Sequence, residues 1–431
     1  MNNLSNEDTH TELNNEYDYY IKEFRDICPN FDIIPVIIPH KHRIIAIGDI
    51  HGDMESAIKL LLVGNLIEEV DQTMFNNPIK QIYYKINNNI LIREKKILKI
   101  KDACEFIIND YSTVYRYYKY NNKYYVKVNI NNQIKWFKWI GKDTYVVQVG
   151  DQIDRCRPFD TKCMHAQIDN DENSDLEIML LYDSLDKIAK KNKGRVFSLL
   201  GNHEMMNVLG DLRYVSKKGI LDFSLNKNIK NGIATRKKVF KNIIAKKMAC
   251  TRATILIIGE YLFVHAGIIA ELAEKYKLTE VNSVIRNFLN NFSGNKKDID
   301  FIINSSSTSP LWYRGLGFIY PDNYKYDERC KTLFDNVIQK INDNNIESVQ
   351  IKGMVIGHTP QFLLKESING ITSACKGKLH RVDIGISKAF DNIVSLDDIN
   401  IKNARKASVL EIITDLETYK SYTNILYLKK N

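Results

Sequence analysis

The sequence lacks the features that mark several classes of protein. It has only 8 prolines and 20 glycines in 431 residues, too few for a collagen-like or proline-rich low-complexity chain. No apolar run approaches the roughly 20 residues of a membrane-spanning helix. The polar, acidic N-terminus has neither the basic start nor the apolar stretch of a signal peptide. With 44% hydrophobic residues, the chain is predicted to be a folded protein without a membrane partner.

Cysteine is also sparse and irregularly placed. The seven cysteines form no CxxC pair and follow no regular spacing; they are Cys28, Cys104, Cys156, Cys163, Cys250, Cys330 and Cys375. An odd, dispersed set is typical of reduced thiols and not of a disulfide framework. Together with the lack of a signal peptide, this predicts a cytoplasmic protein.

The charge is not gathered into a block. A net charge of +9 favours anionic partners such as nucleic acid, lipid headgroups or phosphorylated substrates. The lysines are scattered along the chain, however, which is typical of a solvated surface. We therefore expect no nucleic-acid partner, and the sequence gives no indication of the oligomeric state.

Apolar runs rich in β-branched residues recur along the chain, and most of them end in glycine and a polar cluster. Such runs predict strands that are buried on both faces of a sheet. They lie at 43–53, 144–155, 195–204, 261–267 and 352–359, with two further strands at 380–387 and 406–414. Helical patterns lie between them, at 54–69, 174–191 and 236–249. The alternation of strand and helix predicts a layered α/β architecture.

Three parts are predicted along the chain. Residues 1–39 form an N-terminal extension, disordered over about 1–15 and with a short helix near 17–27. Residues 40–420 form the main domain, interrupted by an insertion at about 70–138. The insertion alternates aromatic or aliphatic with polar residues around Asn-Asn pairs, which predicts β-hairpins. It is either a packed surface flap or a platform for a substrate or partner.

Residues able to bind metal follow five of the predicted strands. They are Asp49, His51, Asp151, Asn202, His203, His265 and His358. The carboxyl ends of strands in α/β sheets are where sites assemble, so we expect these side chains to converge. One such turn, or one histidine beside a strand, is more often structural, as we expect for His42, His165 and His380. Five strand ends at once indicate a site.

Carboxylate, imidazole and amide ligands together suit transition metals such as Mn, Fe or Zn. An aspartate placed between two ions bridges them at the separation of about 3.5–4 Å that two-metal hydrolysis uses. A water that bridges both ions becomes a hydroxide-like nucleophile near neutral pH, and the same ions bind phosphoryl oxygens. The residue types therefore predict two metal ions and direct attack of a bridging hydroxide on a phosphate ester.

These motifs resemble a known series. GDIHG, GDQIDR, GNHE, VHAG and GHT are similar to the motifs of the calcineurin-like metallophosphoesterases, in particular the phosphoprotein phosphatases. The stretches GDLRYVS, PLWYRG and RVDIGIS narrow the resemblance to the Shewanella-like, bacterial-type protein phosphatases. The resemblance covers about 40–66 and 138–415 and implies an α/β fold, a β-sandwich flanked by helices. The N-terminal extension and the β-rich insertion lie outside it.

The resemblance also implies a role for each site residue. One metal would be bound by Asp49, His51 and Asp151, and the second by Asp151, Asn202, His265 and His358. His203 would be the general acid, oriented by Asp154. Arg155 would bind the substrate phosphate and Arg314 would be a second clamp, since a guanidinium matches two phosphate oxygens.

The chain departs from the family after GDQIDR. Cys156 stands where the family usually has glycine. If that position requires a positive φ, the Cβ of Cys156 would strain the loop and Arg155 would sit differently. The thiol of Cys156 is interpreted as inert packing, with a redox-sensitive thiol as the alternative. Asp211 and Arg213 are expected to support the site.

Three functions are compatible with the sequence. The leading hypothesis is a metal-dependent phosphatase acting on phosphoserine, phosphothreonine or phosphotyrosine in a protein or peptide. A nucleotide or dinucleoside polyphosphate hydrolase, or a phosphodiesterase, would use the same metals. An inactive scaffold that binds a partner through the insertion would be expected to have lost a ligand, and none is missing from the motifs.

Overall fold

Two mixed sheets share one hydrophobic core, and the strands of the insertion form a third sheet. The computed structural model describes residues 6–87, 90–104, 110–157, 163, 165, 168, 171–345, 349–363, 370–393, 403 and 405–428. The strands are β1 (Ile37–Ile38), β2 (Arg43–Ile47), β3 (Ile67–Val70), β4 (Ile79–Asn87), β5 (Ile90–Leu98), β6 (Thr113–Tyr120), β7 (Lys123–Ile130), β8 (Gln133–Trp139), β9 (Tyr145–Gln148), β10 (Arg195–Leu199), β11 (Arg252–Ala253), β12 (Ile255–Ile258), β13 (Tyr261–Val264), β14 (Gly353–Ile356), β15 (Thr372–Ala374), β16 (Leu379–Arg381), β17 (Ser408–Thr414) and β18 (Ser421–Tyr427).

Helices cover the sheets. They are α1 (Asn6–Ile27), α2 (Met54–Val63), α3 (Ile100–Cys104), α4 (Asp175–Ala189), α5 (Asn202–Leu209), α6 (Lys217–Leu221), α7 (Ile229–Val239), α8 (Ala245–Thr251), α9 (Ala270–Lys275), α10 (Leu278–Asn291), α11 (Lys296–Ile299) and α12 (Asn336–Asn345). Within the described ranges, no helix combines the length and apolar character needed to cross a bilayer.

The strands that carry the predicted site residues are neighbours. One sheet has the order β11-β10-β9-β2-β17-β18, in which β2, β9 and β10 run parallel. The other has the order β1-β12-β13-β14-β16-β15, in which β13, β14 and β16 run parallel. The carboxyl ends of each parallel set therefore lie along one edge of its sheet. The predicted α/β class is confirmed.

Two helical predictions differ from the structure. The helix predicted at 54–69 ends at Val63, because Gly64 follows it and Ile67–Val70 pairs instead with β8 of the insertion. Helix α1 begins at Asn6, whereas the sequence predicted a short helix near 17–27; the disorder predicted for about 1–15 stays a prediction. Residues 1–5 lie outside the described ranges, and the division into extension and domain stays a prediction.

The insertion forms a sheet of its own in the order β3-β8-β7-β6-β4-β5, which confirms the predicted hairpins. Asn-Asn pairs at 121–122 and 131–132 turn two of them, each asparagine with a positive φ between 44° and 65°. The aromatic face is buried: Trp136 and its neighbours pack around Phe75. The exposed large apolar side chains of these strands are aliphatic, namely Ile90, Ile92 and Ile97. This packing matches the flap interpretation for the aromatic face.

The prediction of reduced thiols is wrong for six of the seven cysteines. The structure contains the disulfides Cys28–Cys250, Cys156–Cys163 and Cys330–Cys375, and Cys104 is free. The interpretation of Cys156 as an inert thiol is wrong as well. Sequence spacing did not reveal two of the pairs because they join segments 222 and 45 residues apart, and the third, Cys156–Cys163, has no CxxC-type spacing. The cytoplasmic location stays a prediction that the cysteines no longer support, since disulfides persist mainly in oxidising compartments.

The Cys28–Cys250 disulfide joins the segment after α1 to α8 across 222 residues. Closing so long a loop restricts the unfolded chain, so we expect Cys28→Ser to lower the free energy of unfolding by about 2–5 kcal/mol. Urea unfolding of the oxidised protein measures this loss. Cys104→Ser is the matched control and should change nothing. Alkylation of all seven thiols without a reductant would contradict the prediction.

Candidate metal centre

Backbone turns at the two sheet edges direct the predicted ligands towards one another. Asp49 and His51 follow β2, Asp151 follows β9, and His265 and His358 follow β13 and β14. His51, Asp151 and His358 have positive φ values of 46°, 53° and 66°. A left-handed backbone at a non-glycine residue costs free energy and is concentrated at functional sites. The left-handed backbone at these three positions therefore indicates that the loops form a functional site.

The carboxylate of Asp151 lies at the centre of the cluster and is 2% exposed. Its Oδ2 is 3.3 Å from His265 Nε2, 3.8 Å from His203 Nε2 and 3.9 Å from His51 Nε2. Two groups of three side chains could each hold an ion: Asp151 with His51 and His203, and Asp151 with His265 and His358. Asp151 belongs to both groups, the position a bridging ligand requires.

The other two predicted ligands border these groups. Asp49 Oδ2 is 3.9 Å from His51 Nε2 and accepts a hydrogen bond of 3.0 Å from the backbone N–H of His358. Asn202 Oδ1 lies 3.0 Å from His265 Nε2. All six predicted ligands are thus brought together. Which ion each would bind stays a prediction.

Backbone carbonyls orient the imidazoles. His265 Nδ1 is 2.8 Å from the carbonyl oxygen of Val149, which leaves Nε2 towards Asp151. His358 has the opposite arrangement, because its Nε2 lies 3.1 Å from the carbonyl oxygen of Trp312. A histidine ligand that donates its other N–H to an oxygen is fixed in one tautomer, which is usual at metal sites.

The charges of the site suit cations. Burial raises the pKa of Asp49 well above its ordinary value, with further contributions from the carboxylates of Asp383 and Asp151. Burial lowers the pKa of His51 and of His358, so both imidazoles are neutral and able to coordinate. Asp49 Oδ1 and Asp383 Oδ2 are buried without a hydrogen-bond donor in the described residues. Buried oxygens without donors fit metal ions as partners.

A buried network orients His203. Its Nδ1 lies 2.7 Å from Asp154 Oδ2, and Asp154 Oδ1 accepts a hydrogen bond of 2.9 Å from Asn207 Nδ2. Arg236 donates to Asn207 Oδ1 at 2.8 Å and to Asp175 at 2.8 Å. The predicted pairing of His203 with Asp154 is therefore present, and Nε2 of His203 is left facing Asp151.

Glu204 fixes the loops that carry Asp151 and Asn202. Its Oε2 accepts from the backbone N–H of Asp151 at 3.0 Å and of Gly201 at 2.8 Å, and its Oε1 accepts from Gln152 at 2.7 Å. Sequence reasoning gave Glu204 no role, although it belongs to the GNHE motif. Its function in the fold is to hold two strand ends at a fixed separation.

The two predicted phosphate-binding arginines lie in different surroundings. Arg155 is 2% exposed, and it donates to Asp53 at 2.9 Å and to Ser387 at 3.2 Å. Arg314 lies beside the cluster and donates to the backbone oxygen of His358 at 2.6 Å. Cys156 has no positive φ, so the strain considered for that position does not arise.

Arg157 was missed by the sequence analysis. Its Nη2 is 2.8 Å from Nδ1 and 2.7 Å from Nε2 of His51. The guanidinium lies 4.7 Å from the ring centre of Phe390 and 5.2 Å from that of Tyr214. Nothing in its spacing distinguished Arg157 from other basic residues in the sequence.

Asp211 and Arg213, which were expected to support the site, form an ion pair with each other. These two side chains pair with each other at 2.6 Å, and the Arg213 side chain is 66% exposed. It is Tyr214, the next residue, that approaches the cluster, with its ring centre 4.9 Å from that of His203.

The family model for calcineurin-like phosphoesterases matches residues 42–362, which contain all the residues of the cluster. The chain belongs to the calcineurin-like phosphoesterase family. It is a phosphate-ester hydrolase, and its divalent-metal chemistry follows from the family and from the two His/Asp groups.

Several proteins are similar to this phosphoesterase. An uncharacterised protein, R398, of Acanthamoeba polyphaga mimivirus is 35% identical over 275 residues, 59% of this chain and 100% of its own length. Shewanella-like protein phosphatase 2 of Arabidopsis thaliana is 27% identical over 66% of this chain and 71% of its own. Shewanella-like protein phosphatase 1 of Plasmodium berghei is 24% identical over 62% of this chain and 66% of its own length.

Among solved structures, a cold-active protein tyrosine phosphatase is similar at 18% identity. The superposed region covers 91% of this chain and 81% of the phosphatase chain, with a TM-score of 0.48.

The geometry of Asp151 leads to a prediction about metal binding. Because its Oδ2 faces both ligand groups, Asp151→Asn should remove most of the binding of both ions. Equilibrium dialysis against Mn²⁺, followed by elemental analysis, measures the metal retained. Asp211→Asn, at a surface ion pair, is the matched control and should retain the metal of the unaltered protein. Equal metal content in Asp151→Asn would show that Asp151 is not a shared ligand.

Proposed function

We propose that this phosphoesterase is a metal-dependent protein phosphatase that hydrolyses phosphomonoesters of serine, threonine or tyrosine. The observation that carries the proposal is the His203–Asp154 pair directed at a shared carboxylate, Asp151, between two groups of ligands. A monoester needs a proton donor for its leaving alkoxide, and this pair supplies one. The Shewanella-like relatives, which are named as protein phosphatases, support the same substrate class.

The metal ions are proposed to be Mn, Fe or Zn, held by the six ligands predicted from the sequence. When bound, they would activate a water molecule and offset charge on the phosphoryl oxygens. Asp154 holds the proton of His203 on Nδ1, so a second proton on Nε2 makes the ring an acid that faces the site. That proton passes to the oxygen of the leaving alcohol. The hydrogen bond from Asn207 keeps Asp154 in place.

We assign phosphate binding to Arg157 and Arg314. Arg157 contacts His51 and is held between two aromatic rings, while Arg314 is fixed by the His358 carbonyl. A guanidinium beside the ligand cluster can match two phosphate oxygens at once. The role of Arg155 in phosphate binding stays a prediction, and its bond to Asp53 supports a structural role instead.

Turnover of an aryl phosphate and of phosphopeptides, with and without added Mn²⁺, tests the proposed function. We expect metal-dependent release of phosphate from both substrates and none in Asp151→Asn. A dinucleoside polyphosphate is assayed in parallel. Faster cleavage of the dinucleotide than of every phosphopeptide would replace the proposal with the nucleotide-hydrolase alternative.

His203→Gln should separate proton donation from metal binding. We expect kcat to fall by about 10²–10⁴-fold, because the leaving alkoxide loses its proton donor. The loss should be much smaller for an aryl phosphate whose phenol has a low pKa. Metal content, measured on the same sample, should be unchanged. Loss of metal in this variant would instead make His203 a ligand, as its place in one of the two groups allows.

Arg157→Gln and Arg155→Gln should have different effects. Removing Arg157 should lower kcat/KM by about 10–100-fold with little change in the melting temperature, because a phosphate contact is lost. Removing Arg155 leaves Asp53 buried without its guanidinium, which should cost about 1–3 kcal/mol of stability. Steady-state kinetics and thermal unfolding of both variants measure the difference. The reverse pattern would return phosphate binding to Arg155.

A further inference from the structure

A cavity of about 420 Å³ lies between the insertion and the catalytic domain. Strands β4, β6 and β7 form one wall, and the segment before α4 with the first turns of that helix forms another. A volume of this size accommodates one or two side chains or a small ligand. Because its walls come from both parts of the chain, the cavity exists only where the insertion packs on the domain.

The cavity shares a wall with the catalytic centre. Ser174, which lines it, donates a hydrogen bond of 3.0 Å to the carbonyl oxygen of Gly52, the residue after His51. Glu172 also lines it, and its Oε2 lies 3.5 Å from Arg155 Nη2. Any group bound in the cavity is therefore separated from the metal ligands by a single layer of chain.

The cavity presents acceptors that lack donors. Asn129 Oδ1 and both carboxylate oxygens of Glu172 are buried without a hydrogen-bond partner in the described residues. The Glu172 side chain is only 7% exposed, and its Oε1 lies 3.7 Å from Lys388 Nζ. Asp222 is a further lining carboxylate that has a side-chain hydrogen bond with Asn173, and no ion pair within 4.0 Å connects it to a described lysine, arginine or histidine. Burial raises the pKa of both Glu172 and Asp222.

Three of the four basic residues that line the cavity are engaged with other groups, and the fourth, Lys96, is exposed. Lys85 pairs with Asp110 at 2.5 Å, and Arg116 pairs with Glu177 at 2.5 Å. Lys247 is 3.4 Å from Asp183 and donates to a backbone oxygen at 3.2 Å. The cavity therefore has buried acceptors without donors, so a ligand that fits it must bring N–H groups, and a cationic ligand could pair with Asp222.

We propose that this cavity receives an arginine or lysine side chain of the phosphorylated substrate, near the phosphoresidue in sequence. The inference rests on the proposed function, because it places a flanking residue of a phosphopeptide beside the site where its phosphate is hydrolysed. Glu172, Asp222 and Asn129 are the residues that recognise the basic group. The insertion thus determines substrate specificity while remaining packed against the domain.

Matched phosphopeptides test this inference. One arginine is moved through each position within about four residues of the phosphoresidue, a reach of ~14 Å in extended chain, and compared with glutamine. We expect kcat/KM to be about tenfold higher or more for arginine at one or two positions, as for a charge-assisted hydrogen bond. Asp222→Asn should lose most of that preference, while turnover of an aryl phosphate is unchanged. Asp222→Glu, which restores the charge, should keep the preference.

Lys96→Gln is the matched control, because it changes an exposed lining residue and leaves every acceptor of the cavity in place, so the preference for arginine should persist. An equal rate for arginine and glutamine at every position would overturn the inference and leave the proposed function intact. A preference of full size in Asp222→Asn would also overturn it. Absence of activity on every phosphopeptide and aryl phosphate would instead overturn the proposed function.

Discussion

A buried carboxylate surrounded by imidazoles is the interaction on which the rest of this structure depends. Asp151 is almost inaccessible to solvent, and three histidines from three different strand ends approach its Oδ2. Burial opposes its ionisation, but the imidazoles of His265 and His203 outweigh it and keep the pKa of Asp151 well below its ordinary value. The strand ends of the two sheets must therefore lie close together, and within one of the sheets Glu204 fixes the end of β9 against the end of β10.

Several features of the site destabilise the metal-free fold. Four of its residues, among them Asp154, adopt a left-handed backbone, and Asp49 and Asp383 place two carboxyl groups together in the interior. The left-handed backbone is sterically unfavourable, and the two carboxyl groups are unfavourable without a compensating charge. Bound cations would offset the carboxylates, so the same arrangement that disfavours the metal-free fold favours metal binding. Stability and function are linked through one electrostatic requirement.

The insertion and the Cys156–Cys163 disulfide both lie near the ligand cluster. The insertion buries its aromatic face and contributes a polar wall beside the catalytic centre instead of an exposed platform. Cys156, which is disulfide-bonded to Cys163, directly precedes Arg157, whose guanidinium contacts His51. Neither feature supplies one of the six predicted metal ligands.

The sequence by itself determined the strands, the hairpins of the insertion and the convergence of six ligands with His203, because local apolar patterns and strand-end motifs are properties of short segments. Only the tertiary structure decided which cysteines pair, that Arg157 and not Arg155 lies against His51, and where Glu204 binds. The Cys28–Cys250 and Cys330–Cys375 pairs, the Arg157–His51 contact and the bond from Asp151 to Glu204 join segments that are far apart in the chain. The spacing of residues along one segment carries no information about such contacts.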